Sequence, residues 1–587
     1  MFRRFAPAVA VVLASLSHVA AAAEKFDFAA ALPPQTLAYA ELSAPDRLLD
    51  AALGDRLQAL LGHVPGYRKY LESKDYRTLQ SVVSLLESKL DVDWRSALRT
   101  LVGGGASLSF DPSQNAVVLM VRSRDPALLT KLHAAIVDLI EADAASKGRA
   151  STAKSEEYEG VTGWSFGKNE AHAIVDDLLL VSNKAEALQA WIDRRRADER
   201  PETLADDETF QQARAVDAEG SAGFGFLRLA PLKLLAKFAD KKSDNPLVEL
   251  LVGGIADALA GADYATLRLR HDDDGARLSA RLPFDRKQLS AARRWYFAAD
   301  ADPRNARIPE VSHLLASLAV RRDVGGLWTS RGELFDEKTN VGFTQADTNL
   351  GLYFSGRDFG TQVLGEIGPT WRIVSAATPR TDDGQPVPAL KLPATAVVWE
   401  LRNPDAFAPH LQMAFQNIIG ITNIDGVQKG RAQLLLKTER RGEAEIQYGT
   451  YLVVGEPSKT DAPVQFNFRP ACAVAGKYFV VGTHVALVRE LVDALAAGST
   501  STSSATGSLA DGEHLKFTVR GAELVELLQA NRPLIVGRSL LSSGGDQQQA
   551  AEQLDGAVEA LGAVSTFEVR LTDEGASLGA TVEWRLE

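Results

Sequence analysis

Gly163-Trp164-Ser165-Phe166-Gly167 has the spacing of a nucleophile elbow, the strained strand-to-helix turn that lifts a serine hydroxyl toward an acyl carbon. Such a serine needs a helix after it, an imidazole within hydrogen-bond reach and donors aimed at the developing oxyanion. Here a second apolar strand follows within four residues instead of a helix. His271 and His313 are the bases that could be recruited, and nothing in the sequence brings either one to Ser165. Ser165 therefore reads as a hairpin residue, and no catalytic residue is assigned.

Other groupings dissolve in the same way. His271-Asp272-Asp273-Asp274-Gly275 concentrates carboxylates but lacks the alternating ligand spacing and the distant bidentate Glu of a calcium loop, so it reads as a turn between strands. Gly103-Gly104-Gly105 has no following Lys-Ser/Thr and reads as a helix stop, while Gly476-Lys477 lacks the rest of a phosphate loop. The nine histidines stand singly, none at metal-ligand spacing, and His172 and His484 read as strand and turn residues. Cys472 is the single cysteine and sits between Ala471 and Ala473 in an apolar run, where a small buried thiol is expected. No cofactor and no metal site are expected.

What remains is the frame. The chain of 587 residues exceeds one hydrophobic core and suggests two to four domains. Arg3 and Arg4, the apolar Phe5–Val19 and Ala21-Ala22-Ala23 form a signal peptide over residues 1–23, which implies export to the periplasm or cell envelope, or beyond it. Without that segment, 62 basic residues stand against 76 acidic ones, a net charge of −14, and no long basic run survives. Nucleic acid is thereby excluded as a partner, and no transmembrane segment is expected in the mature chain. One cysteine in an exported chain also leaves stability to packed cores rather than disulfides.

The strongest signal is internal repetition. Residues 171–193 read as strand, turn, strand and amphipathic helix, and residues 471–493 read identically, with Ala171/Ala471, Ala173/Ala473, Val181/Val481 and Asp193/Asp493 in register. Residues 265–282 and 565–582 share 7 of 18 positions at the same offset of 300, where composition alone gives roughly one. AVVLMVR (Ala116–Arg122) is answered by AVVWELR (Ala396–Arg402). The chain thus divides into a first half over 24–300 and a second over 308–587. The second carries an insertion over 421–470 and a Ser/Thr/Gly loop over 497–508, and a Pro/Asp-rich linker spans 378–388. Each half is expected to be α+β, a mainly antiparallel sheet in an extended ferredoxin-like β-α-β-β-α-β order with helices on one face. Leu247–Leu259, with Glu249 and Asp257 in it, is expected to be a buried helix.

The opening LPPQTLAYAEL, the stretch ETLADDETF (Glu202–Phe210) and AHAIVDDLLLVSNKAEAL together resemble an uncharacterised family of exported bacterial proteins known only as a domain of unknown function. The resemblance covers most of the mature chain and brings no catalytic residues with it. The leading expectation is a non-enzymatic binding or scaffold protein of the envelope, with a protein or ligand partner there. The alternatives are a hydrolase with a site between the halves and a carrier for an apolar ligand.

Overall fold

Short β-branched and apolar runs punctuated by Asp/Asn/Gly turns make strands, and Asp-Pro or Asn-Pro joints start the helices between them. At Asp125-Pro126 the Asp125 carboxylate accepts the N–H groups of Ala127 and Leu128 at 2.9 and 3.0 Å, and the helix Pro126–Ser146 follows. Asn245 does the same for Leu247 and Val248 ahead of the helix Pro246–Gly261. Asp93 and Asp358 each cap a short helical segment by accepting the N–H three residues on.

In the computed structural model the described residues are 26–586, apart from 44, 55–57, 59–60, 63–64, 168, 216–220, 232–241, 273, 299–310, 378–384, 453–461, 499–508 and 544–546. The expected signal peptide, most of the 378–388 linker and nearly all of the 497–508 loop lie outside them. The chain is α+β and forms two units, residues 1–232 with 263–281 and residues 233–262 with 282–587.

The first unit contains β1 (Ala38–Leu42), β2 (Ala106–Asp111), β3 (Ala116–Arg122), β4 (Lys154–Tyr158), β5 (Val161–Gly167), β6 (Glu170–Val175), β7 (Leu178–Ser182), β8 (Gly223–Arg228), β9 (Tyr264–Asp272) and β10 (Gly275–Pro283). They pair in the order β10-β9-β8-β1-β2-β3-β7-β6-β5-β4, every neighbour antiparallel. The second unit contains β11 (Leu314–Arg321), β12 (Ile367–Ala376), β13 (Ala394–Leu401), β14 (Leu434–Arg441), β15 (Ala444–Tyr451), β16 (Ala471–Ala475), β17 (Tyr478–Gly482), β18 (Glu513–Arg520), β19 (Val564–Asp573) and β20 (Ser577–Leu586). Their order is β20-β19-β18-β11-β12-β13-β17-β16-β15-β14, again wholly antiparallel.

Two features differ from the sequence expectation. The strand order is not the split ferredoxin-like one, because β1 pairs directly with β2 and no parallel neighbours occur among these strands. Nor do the helices keep to one face. In the second unit Ala471, Ala473 and Val480 pack with Val488, Leu491 and Val492 of the helix Val485–Gly498. Cys472 and Phe479, on the alternate face, pack with Phe407, Leu411 and Phe415 of the helix Pro404–Gln428. A sheet covered on both sides needs continuous apolar runs rather than alternation, and ACAVA and YFVVG are such runs.

The helix Pro246–Gly261 is likewise only half as expected. Its buried face carries Glu249, Gly253, Gly254, Asp257 and Ala258, while Leu247, Val248 and Val252 are exposed. No helix of the described residues is long and apolar enough to cross a membrane.

Candidate functional site

Ser165 lies on β5, opposite Lys154 of β4, and its hydroxyl donates to the Gly167 carbonyl at 2.6 Å. His271 sits on β9, seven strands away in the sheet order, which at about 4.8 Å per strand is on the order of 34 Å. The structure therefore does not bring that base to the serine. His313 stands at the entry to β11 with a backbone φ of +51°, and its exposed ring lies 4.0 Å from Glu526.

Instead, the hairpin that carries Ser165 holds a polar chain on its other face. Trp164 and His172 are cross-strand partners of β5 and β6 and so share the face that Ser165 turns away from. His172 is buried, and its Nε2 lies 2.9 Å from Nε2 of His133 on the helix Pro126–Ser146. Its Nδ1 meets the Glu170 carboxylate, whose other oxygen accepts the Phe166 N–H at 2.8 Å. Phe166 stacks over the His133 ring and Trp164 meets it edge-on, with centroids 6.0 and 5.1 Å away.

A carboxylate on Nδ1 fixes the His172 proton there, which leaves its Nε2 as an acceptor and makes His133 the donor. Burial, with the facing His172, pushes the His133 pKa below its ordinary value. Burial alone would raise Glu170, but its bonds to His172 and to the Phe166 N–H bring it below the usual carboxylate range. The arrangement can hold one proton between two imidazoles and resists a second, because a doubly protonated pair would set two N–H groups against each other. Sequence reading missed it, treating His172 as an isolated strand residue. The signal available was Glu170-x-His172, a carboxylate and an imidazole two apart and hence on one strand face.

The remaining sequence candidates are structural. The Trp94–Val102 helix ends at Gly103-Gly104-Gly105, and β2 starts at Ala106. Asp272 and Gly275 face each other across the β9–β10 turn. Gly476, with φ +58°, forms the turn between β16 and β17. His484 is buried, and its Nδ1 accepts the Ala486 N–H at 3.2 Å. Among the described residues no group of three His, Cys, Asp or Glu could hold a metal ion. The basic run Arg194-Arg195-Arg196 is engaged locally, Arg195 with Asp176 at 2.8 Å and Arg196 with Glu159 at 3.7 Å.

Cys472 has no exposed surface, and burial pushes its thiol up to about 12. Since the thiolate is the reactive form, the folded protein is expected to resist a thiol reagent at pH 8, whereas the urea-unfolded chain reacts within minutes. Equal labelling rates in the two states would show that this strand opens in the native protein.

No family model matches the chain, and no curated protein matches it either. Solved structures titled crystal forms IV, III and I of TP0453 align over 44% of this chain and 80% of theirs at 10% identity, with TM-scores of 0.23, 0.22 and 0.23. At those scores the likeness carries no argument about architecture or activity.

Proposed function

We propose that this is an exported, non-enzymatic binding protein of the bacterial envelope, built from two copies of one α+β unit, the second of which carries the contact surface. The resemblance to exported proteins of unknown function belongs to the same reading. The duplication is supported by strand order: β10-β9-β8-β1-β2-β3-β7-β6-β5-β4 and β20-β19-β18-β11-β12-β13-β17-β16-β15-β14 correspond strand for strand. It is supported in register too, since Ala171 pairs with Ser182 as Ala471 pairs with Gly482.

One observation carries the binding role. On the helix Pro404–Gln428, Ile418, Ile421, Ile424 and Val427 are 50%, 50%, 64% and 56% exposed. Leu436 of β14, 43% exposed and on the same strand face as Leu434, which packs with this helix, extends the patch onto the neighbouring edge strand, while Leu435 turns to the opposite face. All but Ile418 fall within the 421–470 segment, whose strands β14 and β15 stand where the shorter β4 and β5 stand in the first copy. Contiguous exposed apolar surface of this kind marks an interaction site.

The occupant that fits is an extended apolar segment of a partner polypeptide. β14 pairs only with β15 among the described strands; the Asn423 side chain holds the Leu434 N–H and carbonyl, each at 2.8 Å, and an added strand would pair with the outer main-chain groups from Leu436 onward. The side chains of its charged end are tied back, Glu439 to Arg489 and Arg441 to Asp493.

The test uses the apolar dye bis-ANS on the full mature chain. Wild type is expected to give saturable fluorescence that falls severalfold in Ile421→Asp/Ile424→Asp, with the unfolding midpoint unchanged because both side chains are exposed. Undiminished dye binding by the double variant would remove this surface from the argument.

A further inference from the structure

Beside the short helix Ala291–Phe297, the second unit holds an open cavity of about 400 Å3. That volume lies in the range of small-molecule sites, about 300–1,000 Å3. Arg294 and Arg402 line it, both exposed, and neither side chain makes a hydrogen bond or ion pair with any described residue. Trp295 lines it too, with its ring buried and its indole N–H lacking any hydrogen-bond partner. Ser330 contributes a hydroxyl to the same wall. The acidic residue present, Asp323, has its carboxylate turned to its own chain, where it accepts the Gly326 N–H at 3.0 Å.

A second cavity shows that arginines alone do not make such a site. In the first unit a space of about 380 Å3 is lined by Arg194, Arg195 and Arg200. There Arg194 donates to the Glu202 carbonyl at 3.0 Å, Arg195 pairs with Asp176 at 2.8 Å, and Arg200 pairs with Asp206 at 3.2 Å. Those guanidinium groups are committed. Arg294 and Arg402 are not.

We propose that the Arg294–Arg402 cavity binds a small organic phosphate. Two guanidinium forks suit a dianionic head that accepts paired hydrogen bonds. The Ser330 hydroxyl supplies a neutral donor to the same oxygens, and the Trp295 side chain, its N–H buried, forms part of the wall. The volume far exceeds a bare ion, and the Ala298 and Pro369 walls give an attached organic group apolar contact. This inference stands apart from the apolar surface on the Pro404–Gln428 helix and does not depend on it.

Calorimetric titration of the full mature chain with glycerol phosphate and with inorganic phosphate, at ionic strength fixed by sodium chloride, tests it. The ester is expected to bind saturably and more tightly than the bare ion. In Arg294→Gln/Arg402→Gln its affinity should fall about tenfold or more while the urea midpoint without ligand stays put, since neither side chain has a partner among the described residues to lose. If inorganic phosphate binds as tightly, through the same two arginines, the head group alone is the ligand and the anion site stands. Absence of saturable binding by either, or equal affinity in the double variant, overturns the proposal.

Discussion

Replacing Arg293 with Met is expected to destabilise the second unit by about 3–5 kcal/mol, the usual consequence of stripping the partner from buried charges. Arg293 Nε donates to Glu249 Oε1 at 2.5 Å, and one terminal nitrogen donates to Asp257 Oδ1 at 2.6 Å. The three side chains are only 7%, 4% and 6% exposed. The other Asp257 oxygen accepts the Ser290 N–H at 2.9 Å, so the network holds the helix Pro246–Gly261 to the segment that follows β10. Removing the guanidinium leaves two carboxylates without a counter-charge in a place that water does not reach. Room for the network is made by glycine: a Cβ at Gly253 would stand 2.3 Å from the Glu249 carboxylate, and one at Gly254 would stand 2.3 Å from the Tyr296 ring. Urea unfolding of the single variant should show the loss. The triple variant Arg293→Met/Glu249→Gln/Asp257→Asn should recover most of it, because no buried charge then remains. A single variant within 1 kcal/mol of wild type would mean that water already solvates this helix face.

How far these features were legible depends on their range in sequence. Strands, caps and the two hairpin-helix segments follow from local chemistry, and the described elements begin where Asp125-Pro126 and Asn245-Pro246 say they should. Repetition was visible, but register was not. The AVV motif aligns Ala116 with Ala396, whereas strand pairing sets Val118 and Ala396 against equivalent residues, Ser182 and Gly482. A slip of two residues keeps every side chain on its own face, so an apolar pattern cannot report it. The β9–β10 and β19–β20 hairpins differ by more, since Leu269 faces Leu278 while Val569 faces Val582. The helix Pro246–Gly261 was misread for a related reason. Apolar composition suggested a buried helix, yet Leu247 is 62% exposed and Glu249 is buried, because Arg293 lies 44 residues further along the chain. The same holds for His133 and His172, whose meeting needs a helix laid across a strand 39 residues away. Pairings of this range are set by packing, and no single sequence states them.

Acidification should destabilise the second unit through His514, by about 2 kcal/mol between pH 7.5 and pH 5. His514 on β18 is 1% exposed, its ring meets Phe297 edge-on at 5.0 Å, and its Nδ1 has no hydrogen-bond partner. Burial, with Arg322, Arg321 and Arg286 close by, drives its pKa down to about 3. Its surroundings are cationic on several sides. Arg322 is fully buried with its guanidinium 3.6 Å from the Tyr296 ring centroid, and it donates to the His514 carbonyl at 3.2 Å. Arg286 reaches the His514 ring at 3.5 Å while pairing with Asp573 at 2.6 Å. The folded pKa lies below the unfolded value of about 6.5, so the unfolded chain takes up the proton first. The contribution is therefore complete above pH 6.5 and is lost as pH falls toward 3, the window between the two values. Carboxylates with depressed pKa values, such as Asp493 beside Arg441, lose their contribution in the same direction but mostly below pH 5. His133 also titrates this way, so the decisive quantity is the difference between wild type and His514→Gln. Urea unfolding at pH 7.5, 6.5, 5.5 and 5 is expected to show a shallower slope in the variant, whatever its stability at neutral pH. Parallel slopes in the two proteins would mean that His514 gains its proton in the folded state as readily as in the unfolded one, and that the three arginines do not act on it.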